Sequence, residues 1–202
     1  MFVSEVHNAE EDATINGYEV GVRQFLDMLP EPFNGLGYEV NYTYIDSSNP
    51  GDLAYAINND QATNSQPLTD NPVSGLSKHN MNLAFMYEKG PWSARVAYSW
   101  RSRYLMSTNS NGTNSTYTYY DFVNSTTELR KISLPIYSAG YGQIDLGGSY
   151  RVNDHISLSV EASNVTDAIA KTLQGGYPNG ALMPRSWFIT DKRVSFSVRL
   201  SY

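Results

Sequence analysis

The chain has 202 residues, no cysteine and a formal net charge of −6, so disulfide scaffolds and thiolate metal sites are excluded and nucleic acid is a poor partner. No run approaches the length of about eighteen apolar residues that a membrane-crossing helix needs, and the mean hydropathy is −0.42. Tyrosine is abundant at 16 residues and aromatics reach 13%, a supply that suits aromatic girdles at two membrane–water interfaces.

The first twelve residues, Met1 to Asp12, have neither a basic start nor an apolar stretch, so they do not read as a secretory signal. From Ile15 to Phe25, Tyr18, Val20 and Val22 alternate with Glu19, Gly21 and Arg23, the period-two pattern of a strand between two environments. The segment from Asp27 to Gly35 contains two prolines and a glycine and reads as a compact turn. A second strand follows, with Leu36, Tyr38, Val40, Tyr42 and Tyr44 on one face and Gly37, Glu39, Asn41 and Thr43 on the other. After Asp46 a polar stretch rich in Ser, Asn, Asp and Pro runs to Lys78 and is expected to be a long loop.

Met81, Leu83, Phe85 and Tyr87 define a third strand, which turns at Glu88-Lys-Gly-Pro91. The fourth sets Trp92, Ala94, Val96, Tyr98 and Trp100 against Ser93, Arg95, Ser99, Arg101 and Arg103. Three arginines on one face require water or carboxylates in front of them. Residues 107 to 138 are expected to form a second long loop, with a short extension at Tyr117 to Phe122. The fifth strand alternates Ile144, Leu146 and Tyr150 with Gln143, Asp145, Ser149 and Arg151. It turns at Val152-Asn-Asp154 into a sixth, where Ile156, Leu158, Val160 and Ala162 face away from Ser157, Ser159, Glu161 and Ser163. A third long segment, 165 to 190, leads to the last strand, in which Val194, Phe196, Val198, Leu200 and Tyr202 alternate with Arg193, Ser195, Ser197, Arg199 and Ser201.

Short and long connections therefore alternate strictly between about seven meandering strands. A soluble sandwich alternates within its strands in the same way, but it has no reason to gather every long loop at one end. An all-β, antiparallel transmembrane β-barrel wall does, with short periplasmic turns and long extracellular loops. An odd number of strands favours a sector of a larger barrel; Phe2 to Val6, as an eighth strand, would instead allow a small self-contained barrel acting as an adhesin or structural protein.

The last strand looks like the C-terminal strand of bacterial outer-membrane barrels, in which Phe196, Val198, Leu200 and Tyr202 would form the segment read by the barrel-assembly machinery. Asn8, Ala13, Ile15, Gly17 and Glu19, then Gly35-Leu-Gly37 leading into Asn41-Tyr-Thr-Tyr44 and Asp46-Ser47, resemble the late barrel strands of TonB-dependent outer-membrane receptors. Leu76-Ser-Lys-His79, Tyr87-Glu-Lys-Gly90, Arg95, Arg101, and Glu161 with Asn164-Val-Thr-Asp167 continue the similarity. The resemblance implies a barrel of about twenty-two strands with an N-terminal plug, importing a scarce ligand with energy passed through TonB. It places the protein in the outer membrane of a Gram-negative bacterium, against lipid, with a carbohydrate or a siderophore–iron complex as the small-molecule ligand. Residues 1–202 are expected to be the C-terminal barrel portion alone, without signal peptide, TonB box, plug or earlier strands, so TonB would be contacted only through parts outside this chain.

No enzymatic chemistry is legible. His7, His79 and His155 are scattered without ligand spacing, and there is no G-x-S-x-G or phosphate loop. Asp46 to Asp52 lacks the distal carboxylate of a calcium loop, Glu10-Glu-Asp12 reads as a solvated run, and the sequons at Asn111, Asn114, Asn124 and Asn164 are chance products of composition. No metal or cofactor is expected. Two groups of residues remain. Tyr117, Tyr119, Tyr120, Tyr177 and Trp187 lie in outward segments, where flat rings suit sugar faces or aromatic siderophores, or pack the loops together. Glu19, Arg23, Glu39, Arg95, Arg101, Asp145, Glu161, Arg193 and Arg199 form an expected lumen-facing row that either meets plug and substrate or pairs charge with charge across strands.

Overall fold

The computed structural model describes residues 12–50, 54–55, 67–68, 71–108, 115–121, 124–132, 135–175 and 181–201. The strands in chain order are β1 (Thr14–Phe25), β2 (Leu36–Ser48), β3 (Ala54–Tyr55), β4 (Pro67–Leu68), β5 (His79–Lys89), β6 (Trp92–Arg101), β7 (Tyr104–Ser107), β8 (Ser115–Asp121), β9 (Thr126–Ile132), β10 (Ile136–Ser138), β11 (Tyr141–Arg151), β12 (Ile156–Ser163), β13 (Ile169–Gln174), β14 (Met183–Ile189) and β15 (Arg193–Leu200). All the strand pairs are antiparallel. A 3-10 turn, Phe33–Gly35, precedes β2.

The seven strands read from the alternation are the seven strands of the largest sheet, in the order β1-β2-β5-β6-β11-β12-β15. Its registers align the faces across the whole width. One apolar row runs Val22, Val40, Leu83, Tyr98, Ile144 and the next runs Tyr38, Phe85, Val96, Leu146, Ala162, Val194. This face is left bare: Phe85 is 56% exposed, Trp92 59%, Phe196 81% and Val198 64%. A continuous apolar sheet face of this size is not a water-facing surface and requires lipid or a protein partner. Aromatics gather at its two ends. Tyr18 stacks on Tyr44 at 5.4 Å beside Tyr42 and His79 at one rim, and Trp92 packs on Tyr150 at 4.4 Å at the other. A ten-residue strand such as β6 is about 34 Å long and, tilted by about 45°, spans a band of about 24 Å.

At the Trp92 rim the connections are tight. Gly90, with φ of 58°, turns β5 into β6 in a conformation that side chains resist. The Asn153 Oδ1 accepts the N–H groups of His155 and Ile156, both at 2.9 Å, and so closes the β11–β12 turn. The connections 49–78, 102–140 and 164–192 all leave from the opposite rim.

None of those long connections is the plain loop the sequence suggests, and 49–78 carries the short antiparallel pair β3–β4. β7, β10, β13 and β14 form a four-stranded sheet in the order β14-β13-β10-β7. Each is the onward run of a strand in the large sheet: β6 into β7, β10 into β11, β12 into β13, β14 into β15. Their neighbour order repeats that of β6, β11, β12 and β15. The wall thus continues past a seam at 102–103, 139–140, 164–168 and 190–192. These segments lack a readable alternation because they are short and carry register shifts, one of them opposite Pro184; their pairing is inherited from the strands below. β8 and β9 form a hairpin where only a short extension is expected, and β2 runs on to Ser48. The suggested strand at Phe2 to Val6 lies outside the described residues.

Candidate functional site

The polar face of the large sheet collects the charged residues that the alternation points inward. Three successive rows matter. Gly21, Asn41, Asn82, Ser99 and Gln143 form one, and Arg23, Glu39, Ala84, Ala97 and Asp145 the next. The third runs Gly37, Met86, Arg95, Gly147, Glu161 and Ser195. Glu19 stands opposite Thr43 in a further row that ends at Arg101 and Tyr141. Arg199 pairs with Ser157 near the tight-turn rim. All nine predicted lumen-facing residues therefore fall on one face.

Small residues hollow this face. A recess of about 640 Å³ is lined by Arg95, Ser99, Asp145, Gly147, Glu161 and Arg193, among others. A neighbouring one of about 230 Å³ shares Arg95 and Ser99 and adds Glu39, Asn41 and Asn82. Cross-strand charge pairing, the simplest expectation for this row, is not what the geometry gives. The ion pairs among the described residues are Lys78–Asp46, Lys89–Glu31 and Lys192–Asp167, all outside the row. Arg23 and Glu39 are register partners on adjacent strands yet make no ion pair, and Arg95 and Glu161 share a row but are separated by the whole width of β11 at Gly147. Asp145 instead accepts the Gln143 amide at 3.0 Å and the Asn164 backbone N–H at 2.9 Å.

Arg101 departs from the simple lumen role. Its Nε donates to Ser77 Oγ at 2.8 Å, its Nη2 to the Gly75 carbonyl at 3.0 Å, and its guanidinium lies 3.9 Å from the Tyr104 ring centroid. It clamps the segment 71–78 onto the rim, where Ser77 is 2% exposed. Nothing in strand periodicity reveals this, because both partners come from a loop. Replacing Arg101 with Ala is expected to remove about 1–3 kcal/mol of local stability. Proteolysis within 71–78 should then quicken about tenfold or more while the unfolding midpoint of the whole protein barely moves; an unchanged cleavage rate would contradict the clamp.

Arg103, read as the third inward arginine of the fourth strand, lies beyond the end of β6 and rests over Tyr137 at 5.6 Å. Burial pushes the Tyr137 hydroxyl above its ordinary pKa, and Arg103 pulls against it. Lys78, at the same rim, is held above the ordinary lysine range by its hydrogen bond to Asp46, then by Tyr44.

The seam is organised by Asn164, a residue the sequence shows only as part of a motif. It is 3% exposed with φ of 52°. Its Oδ1 accepts the Ala168 N–H at 2.8 Å, its Nδ2 donates to the Thr190 carbonyl, and its own N–H reaches Asp145. One side chain thereby holds the β12–β13 corner to the β14–β15 corner.

Of the outward aromatics, Trp187 is 57% exposed on β14, opposite Lys171. Tyr117, Tyr119 and Tyr120 lie on β8 opposite Arg130, Glu128 and Thr127, and Tyr177 lies outside the described residues. Phe196, Val198 and Leu200 share the apolar face of β15, and Tyr202 also lies outside the described residues. Among the described residues no group of three or more His, Asp or Glu could hold a metal ion.

A family model described as "TonB dependent receptor-like, beta-barrel" matches residues 3–165. No curated protein and no solved structure matches the chain.

Proposed function

Since the chain belongs to the TonB dependent receptor-like β-barrel family, whose members are receptors of the Gram-negative outer membrane rather than enzymes, we propose that it forms the late wall of a receptor that actively imports a scarce ligand, either a carbohydrate or a siderophore–iron complex. The observation that carries this is the two-faced seven-stranded sheet with every long connection at one rim. Energy arrives through TonB, engaged by a plug that this wall surrounds. Phe196, Val198, Leu200 and Tyr202 present the assembly signal, and the apolar face meets lipid.

Among the described residues β1 and β15 are the two edges of the sheet and are not paired with each other. Backbone groups on an open edge have no partner in hydrocarbon, so further strands must complete the wall. The 202-residue chain by itself is therefore expected not to transport and, refolded in detergent, not to give a heat-modifiable, protease-resistant monomer. Such a monomer would favour a small closed barrel instead.

The import reading is tested in the source bacterium. The protein should sediment with the outer membrane, and deleting its gene should abolish growth on one scarce oligosaccharide or ferric chelate, a defect copied by deleting TonB. Recovery in the soluble fraction, or growth indifferent to TonB, would overturn it.

A further inference from the structure

At the tight-turn rim the β1–β2 connection, residues 26–35, is much longer than 90–91 and 152–155, and it leans to one side. Three bonds fix the lean. The Tyr87 hydroxyl donates to the Pro32 carbonyl at 3.2 Å, and the Lys89 ammonium donates to Asn34 Oδ1 and pairs with Glu31 at 3.1 Å. Tyr87 is the register partner of Leu36, and Lys89 of Trp92, so both anchors stand on the apolar face of the sheet. Gly35 permits the fold-over: a Cβ there would stand 2.6 Å from the Glu88 carbonyl oxygen. The turn is thereby drawn to the outer side of the wall and toward β5, away from the lumen and from the open edge at β1. It carries two large apolar side chains in the open, Met28 at 74% and Phe33 at 55% exposure. Asp27 and Glu31 lie among them in the chain, and the exposed Trp92 stands beside Lys89 on the same face.

We propose that this turn is an interfacial foot that lies on the phospholipids of the periplasmic leaflet. Met28 and Phe33 enter the first acyl carbons, while Asp27, Glu31 and Lys89 stay at the level of the hydrated headgroups. This step rests on the outer-membrane reading above. The occupant follows from continuity: the turn is tied to the row of Leu36 and Tyr87, the last of the apolar face that meets lipid. Removing a phenyl ring and a thioether chain from water favours this seat, and two carboxylates that need water keep it shallow. The foot therefore sets how deep the wall sits. Sliding the barrel toward the periplasm would return Met28 and Phe33 to water, and sliding it outward would drag Asp27 and Glu31 into hydrocarbon.

The test uses the completed barrel to which this wall belongs, in phospholipid bilayers, with one nitroxide label per variant. The chain has no cysteine of its own, so Met28→Cys, Phe33→Cys, Val96→Cys and Asp154→Cys each give a single attachment point within it. Collision rates with oxygen, which concentrates in lipid, and with a water-soluble nickel chelate read the depth of each label. Labels at 28 and 33 should be immersed by about 5–10 Å, the depth of an interfacial apolar side chain. The label at 96 should lie deeper, and the label at 154, in the β11–β12 turn, should be open to the chelate. Chelate access at 28 and 33 equal to that at 154, with 96 immersed, would overturn the foot and leave the membrane reading standing. Chelate access at 96 as well would remove the membrane reading itself. Labels at 28 and 33 shielded from both reagents would show a protein partner there and overturn the lipid occupant. A photoactivatable phospholipid guards against a label that drives its own insertion: it should attach to residues 26–35 of the unlabelled protein, and its failure to do so would overturn the proposal.

Discussion

Asn164→Ala is expected to destabilise the membrane-embedded protein by about 2–4 kcal/mol, a large effect for a residue outside any strand. Two backbone groups in part-buried hydrogen bonds lose their partners: the N–H of Ala168 and the carbonyl of Thr190. The alanine would also have to hold φ near 52°, a region that side chains other than Asn and Asp enter at a cost of about 1 kcal/mol. Asn164→Gly separates the two causes. It relieves the backbone and keeps the defect in hydrogen bonding, so it should recover about 1 kcal/mol of the loss. Denaturant unfolding in lipid vesicles of the completed barrel to which this wall belongs measures the total, and limited proteolysis locates it at 164–168 and 190–192. An alanine variant within about 0.5 kcal/mol of wild type would mean that the seam is held by backbone pairing alone.

The second large effect concerns the two faces of one strand. Val96 sits in the middle of the apolar face, between Phe85 and Leu146, and is 45% exposed. Val96→Arg should cost about 2–4 kcal/mol, the penalty of a cation near the hydrocarbon midplane of a barrel. Ala97, the next residue, lies on the polar face between Ala84 and Asp145. Ala97→Arg should cost under about 1 kcal/mol, since its guanidinium meets water and a carboxylate. Equal costs at the two positions would place water on both sides of the sheet and end the membrane reading. Folding yields into vesicles, measured beside the unfolding curves, guard against an assembly defect posing as instability.

Residue order and periodicity alone were enough for the large sheet. The alternation in β2, β6 and β15 has one solution as a two-faced strand, because a one-residue slip would carry every valine and tyrosine to the wet side. The tight turns were equally legible, through Gly90-Pro91 and Asn153, and with them the rim from which every long connection leaves. Family membership followed from motifs spread along that wall, which the match over residues 3–165 bears out.

The upper sheet was decided by pairing across the chain. β10 is three residues long, and β14 carries Pro184, so neither has a local pattern strong enough to declare itself; each is a strand because β11 and β15 deliver it already in register to its neighbours. The partners of the charged groups were decided in the same way. Sequence places Arg95, Arg101 and Glu161 on one face, but only the staggering of strands sets Gly147 between the first and the last and brings Ser77 to the second. A side chain's face depends on its own strand, and sequence carries that. Its partner depends on distances between strands and loops far apart in the chain, and those exist only once the sheet has formed.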